Sequence, residues 1–142
     1  MIKQIFLLFL VYSCMAPEGP EQALKNYINY RFSGEQKREK LVKMSTGSVK
    51  AQIETMSEVN FNSLYKTSDK KLKRVKINLK NCSEEKCSIT YTLSFATFKG
   101  EVETFRSEVK KIAEMVKVDG SWKVSDVTNV KTYIDSKGPI SP

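Results

Sequence analysis

The chain has 142 residues, 40% hydrophobic and 28% charged, with 24 Lys and Arg against 16 Asp and Glu for a net charge of +8. That composition fits one small domain with its own core and leaves little room for a separate catalytic one. No histidine occurs, which excludes the common serine and cysteine triads, the HExxH zinc site and mixed Cys/His zinc sites.

Residues 1–13 place one cation, Lys3, ahead of the apolar run Ile5 to Tyr12, with the small Ser13 before Cys14. This is the layout of a secretory signal. The apolar run is about eight residues, and about 20 are needed to cross a bilayer as a helix. A buried amino-terminal helix would be amphipathic, whereas this block is uniformly apolar behind its single charge. The segment Leu10-Val11-Tyr12-Ser13-Cys14 resembles a bacterial lipobox, with an aliphatic residue three before the cysteine and a small one next to it. The resemblance implies cleavage before Cys14, diacylglycerol on its sulfur and an acyl group such as palmitate on the new amino terminus. The product would be anchored in the bacterial cell envelope by lipid alone. Met15 rather than Asp follows the cysteine, and similarity to the sorting rule of enteric bacteria implies the outer membrane, facing the periplasm.

Met15 to Pro20 holds two prolines and a glycine, so residues 14–19 read as a tether, with the folded domain at 20–136. Pro20 stands at a helix start, Leu24, Tyr27, Ile28 and Arg31 recur at helical spacing, and Gly34 follows as a C-cap, which predicts a helix over 20–33. A second helix is expected over 35–44, with Leu41 and Val42 as its apolar part. A third carries Val49, Ile53 and Met56 and ends at about Met56 or a few residues beyond.

From about Leu72 the period becomes two. Val75, Ile77 and Leu79 alternate with polar residues, as do Ile89, Tyr91, Leu93 and Phe95, so the two runs form a hairpin. Cys82 and Cys87 remain once Cys14 is given to lipid. They flank the charged turn 83–86, where a disulfide would clamp the hairpin mouth in an oxidising compartment and add about 2 kcal/mol. Half of a metal site is the alternative, with no further soft ligand to complete it. Residues 103–118 fit both periods; a long strand with a bulge that switches its facing is expected, because the segment runs into the Asp119-Gly120 turn. A last strand follows over 121–127, extended through Val130 to Ile134, and 137–142 form a frayed tail.

Three helices followed by a meander of about four strands predict an α+β domain with its helices on one face of a curved antiparallel sheet. The helix from Pro20 to Tyr27, two more helices, and strands ending in Val118-Asp119-Gly120-Ser121-Trp122-Lys123-Val124 resemble the nuclear-transport-factor-2-like (cystatin-like) superfamily, notably its small bacterial lipoproteins. The resemblance implies a conical cavity, used for catalysis in some members and for binding or contact in many. Tyr27, Tyr30, Phe32, Tyr91, Phe95 and Trp122 are its candidate wall, against the plainer reading that such aromatics are simply core.

Enzymes of that shape use an Asp or His base. Asp126 is the candidate here, and an Asp base needs desolvation. No catalytic residue, metal or cofactor is assigned. The expected function is a lipid-anchored, non-catalytic domain that binds a small apolar ligand or a protein. The alternatives are a small acid/base enzyme, or an envelope assembly or secretion component with an exposed apolar sheet edge. Lys66, Lys70, Lys71, Lys73, Arg74 and Lys76, with Lys110, Lys111 and Lys117, would form one positive face toward anionic envelope lipid if their strands are neighbours; equally, they keep the sheet soluble. A nucleic-acid partner is disfavoured, since no glycine-rich or base-stacking motif accompanies the charge.

Overall fold

The computed structural model describes residues 16–66 and 68–136. The signal, Cys14 and the tail at 137–142 lie outside them. Four helices, α1 (Pro20–Arg31), α2 (Arg38–Lys43), α3 (Gly47–Thr55) and α4 (Glu58–Tyr65), precede four strands, β1 (Lys70–Cys82), β2 (Lys86–Lys99), β3 (Val102–Val118) and β4 (Ser121–Ser136). The strands form one antiparallel sheet in the order β1-β2-β3-β4, the α+β class the sequence indicates.

Helix α1 starts on Pro20, carries Glu21 in its first turn and Arg31 in its last, and buries Ala23, Leu24, Tyr27 and Ile28 on one stripe. Glu21 pairs with Lys25 at 3.0 Å and with Lys80 of β1 at 2.9 Å, fastening the start of the helix to the sheet. Bonds from these two lysines hold the Glu21 carboxyl below its usual range. Residues 44–46 lie beside β4, where the Thr46 N–H donates to Val124 O at 2.8 Å and the Val124 N–H to Met44 O at 3.1 Å.

Helix α4 is one more than the three expected. The backbone is extended at Met56 and Ser57, which ends α3, and the Ser57 side chain then accepts the Asn60 N–H to cap a new helix. Its Phe61 and Tyr65 are one turn apart, buried, and stacked 5.2 Å apart.

The sheet buries Cys87, Ile89, Tyr91 and Leu93 of β2 and Val109, Ala113 and Met115 of β3 against the helices. Two expectations are corrected here. The facing of β3 does not switch between Phe105 and Val118: its register shift leaves the extra residue at Thr104, and the other shifts across β3 leave theirs at Ser125 and Val130 of β4. Ser107, Val109, Lys111, Ala113 and Met115 therefore share the inner face, while Ile112 and Val116 are half-buried on the outer one. On β1 the extra residues are Lys73 and Asn78, and the second turns Leu79 outward, exposed, instead of continuing the row of Val75 and Ile77.

Candidate functional site

A cavity of about 790 Å³ opens between α1, α3, α4 and the inner face of the sheet, within the size range of small-molecule sites. Helical spacing brings Tyr27, Ile28 and Arg31 of α1 to it, with Phe32 at the helix C-cap, and period-two spacing brings Tyr91, Leu93 and Phe95 of β2. Val109 and Lys111 of β3, Tyr65 of α4 and the run Asp126 to Asn129 of β4, polar but for Val127, complete most of the wall. Phe32 and Phe95 meet across it with ring centroids 5.5 Å apart.

The polar groups of the wall are uneven. Burial pushes the Tyr27 hydroxyl up to about 12, against the opposing pull of the Arg31 charge. Burial also raises Tyr91, with Tyr27 adding to the effect. The Arg31 guanidinium lies 4.1 Å from the Tyr65 ring centroid, and its Nη2 donates to Leu64 O at 3.2 Å. Its Nε is buried and has no acceptor among the described residues. Lys111 faces Tyr91 across the β2–β3 ladder, and burial, then repulsion from Arg31, lowers its ammonium pKa. Asp126, the carboxylate on the wall, is exposed and accepts the Ser48 hydroxyl at 3.0 Å.

Of the six aromatic residues singled out in the sequence, Tyr27, Phe32, Tyr91 and Phe95 line the cavity. Tyr30 and Trp122 do not. About 100° of rotation per helical residue carries Tyr30 away from Arg31; its hydroxyl accepts the Lys37 N–H at 2.6 Å, and the Lys40 ammonium sits 4.3 Å from its ring centroid. Trp122 lies at the turn end of β4, opposite Lys117, and packs half-buried on the core. A disulfide joins Cys82 and Cys87, which face each other in the ladder. Lys110 and Lys111 fall on opposite faces of the sheet, so the single positive face expected from both is not formed.

Arg31, Lys111 and Tyr65 are among the wall residues that the sequence reading did not place there. Arg31 already follows Tyr27 by one helical turn, and Lys111 stands in the alternating row Val109, Lys111, Ala113, Met115. Both cues were legible as cations on otherwise apolar stripes.

Residues 19–127 match the family model of the NTF2-like N-terminal transpeptidase domain. Among solved structures the chain is similar to a SEC-C motif-containing protein from Rhodopseudomonas palustris, at 12% identity and a TM-score of 0.54, with 79% of each chain covered. It is also similar to an Ntf2-like potential transfer protein, TraM, from a Gram-positive conjugative plasmid, at 18% identity and a TM-score of 0.43, covering 77% of this chain and 92% of that one. A putative calcium/calmodulin-dependent kinase II association domain from Exiguobacterium sibiricum matches at 9% identity and a TM-score of 0.49, covering 82% and 98%. No curated protein matches the chain.

Proposed function

Because the chain belongs to the family of NTF2-like N-terminal transpeptidase domains, we propose that it is a lipid-anchored envelope protein whose single domain binds a ligand in its cavity without transforming it. The observation that carries this reading is the cavity wall itself: a cleft of about 790 Å³ with an apolar floor and a few convergent polar groups. The donor chemistry favours binding over catalysis. Asp126 is exposed and already accepts from Ser48, whereas a general base of this type needs desolvation. No serine or cysteine lines the cavity among the described residues. The anchor rests on the signal and on Cys14, which the exposed stretch 16–19 separates from α1 by a short link.

The test is equilibrium binding of an environment-sensitive apolar dye to the full chain in non-ionic detergent, beside Asn129→Trp, which adds bulk at an exposed position of the wall. Saturable binding that weakens about tenfold or more in the variant is expected. Equal binding by both proteins would sink the cavity reading.

Protein contact has its own support. β4 is an edge strand, and Val130, Tyr133 and Ile134 on it are exposed, as is Phe105 of the neighbouring β3. On this reading the full chain self-associates by sedimentation, and Ile134→Lys returns it to the monomer; a monomer at all concentrations tested would reject it.

A further inference from the structure

The cavity holds two cations that nothing in its own wall neutralises. Arg31 enters from α1 and Lys111 from the middle of β3, and neither forms an ion pair among the described residues. Asp126 is directed to Ser48. Lys70 adds a third positive charge to the wall. A lysine and an arginine brought together in a partly desolvated space are mutually repulsive, and burying either costs free energy unless an anion joins them.

Two simpler explanations fall short. Arginine is accounted for in part by the Tyr65 ring and the Leu64 carbonyl, but its buried Nε still points to no acceptor. Lysine commonly lays its stem on apolar surface with the amine in water. Lys111 is half-buried on the inner face beside the cavity, and burial first and Arg31 second lower its pKa, so its amine is only partly in water.

We infer that the cavity takes a small apolar molecule carrying one carboxylate, with the carboxylate between Arg31 and Lys111 and the apolar body against Tyr91, Leu93, Phe95 and Val109. The guanidinium fork matches a carboxylate edge, and Lys111 supplies a point charge from the opposite wall. The anion removes the repulsion between the two cations, and the aromatic and aliphatic floor gains from covering the apolar body. This ligand class rests on the cavity-binding reading above.

The experiment is equilibrium dialysis of the full chain in non-ionic detergent against naphthoate and against naphthamide, which has a similar shape and no charge. Naphthoate is expected to bind about tenfold or more tighter, since a charge-assisted bond of the usual strength gives at least that factor. In Lys111→Met the preference for naphthoate disappears, amide binding is kept, and the thermal midpoint of the ligand-free protein rises. A purely structural Lys111 would instead lower the midpoint and weaken both probes together. Equal affinity of the wild-type protein for the two probes overturns the carboxylate assignment and leaves the binding cavity standing. Failure of both probes to bind overturns both.

Discussion

Gly47 is the point at which helix α3 is held against β4. Its φ is +55°, and a Cβ there would lie 2.5 Å from Ser125 Oγ and 3.2 Å from the Ser125 carbonyl oxygen. An alanine therefore meets left-handed backbone strain as well as a steric clash. Gly47→Ala should cost about 1–2 kcal/mol of unfolding free energy, read from urea midpoints at unchanged slope. Adding Ser125→Ala removes only the hydroxyl part of the clash, so the double variant should recover a fraction of that loss. Full recovery would show that backbone strain at Gly47 contributes nothing. The cavity tyrosines make a separate prediction with a definite sign. Burial holds Tyr27 protonated to about pH 12, against a reference of 10.0, and shifts Tyr91 in the same direction. Above pH 10 the unfolded chain then loses these protons first, and stability falls as pH rises through that window. Lys111, lowered by burial and by Arg31, acts oppositely, favouring the fold increasingly as pH climbs toward 10.5. With two tyrosines against one lysine, stability should decline between pH 10 and 12. Tyrosinate absorbance should show a late fraction that appears only with unfolding, and complete titration of all tyrosines near pH 10 would contradict this.

At the scale of elements, the short helices are braced by one side chain. Arg38 Nη1 donates to Ile53 O and to Met56 O, both at 2.6 Å, and Nη2 donates to Glu58 at 3.0 Å. Its guanidinium also sits 4.7 Å from the Phe61 ring centroid. One residue of α2 thus satisfies carbonyls at the end of α3 and pairs with the start of α4, where helices of six to nine residues have little stability of their own. Arg38→Met should cost about 2–3 kcal/mol, and Arg38→Lys should restore little of it, because one ammonium nitrogen lacks the planar fork that reaches the two carbonyls from Nη1 and Glu58 from Nη2. Equal stability of the lysine variant and wild type would reject the brace. This bracing was not legible in the sequence, because it joins residues that are distant along the chain by side-chain bonds to backbone. The α1 stripe and the β2 alternation were legible, since each element there shows one clean period. In β1 and β4 the extra residues at Lys73, Asn78, Ser125 and Val130 shift the register, and no local pattern announces which strand carries them. Residues 58–65 escaped for a related reason: Phe61 and Tyr65 give a single helical repeat, too short to separate from the end of α3 without the extended turn at Met56 and Ser57.

For the molecule as a whole, the order of helices and strands was enough to indicate the α+β layers, because segregated elements leave few ways to cover one sheet face. The cavity's cations were harder to find, since a charged residue on an apolar stripe is read first as a solvated one. The proposed lipid anchor depends on chemistry at the amino-terminal end of the chain, and the cysteine count makes that chemistry testable. Three cysteines occur in the chain, and Cys82 and Cys87 are joined to each other. Cys14 is the third, and the proposed anchor places the lipid on its sulfur. Intact mass should be measured on protein purified from membranes of a bacterial host, with and without reductant. The expected chain lacks residues 1–13 and carries added acyl mass, and reduction raises its mass by about two hydrogens, as one disulfide requires. Cys14→Ala should retain residues 1–13 and lose the acyl mass while keeping the reduction shift. Several acyl chains give a far larger membrane affinity than one, so the same variant should also redistribute when membranes are washed with high salt. An unprocessed wild-type chain with three free thiols would remove the anchor, and with it the oxidising compartment in which the Cys82–Cys87 bridge persists.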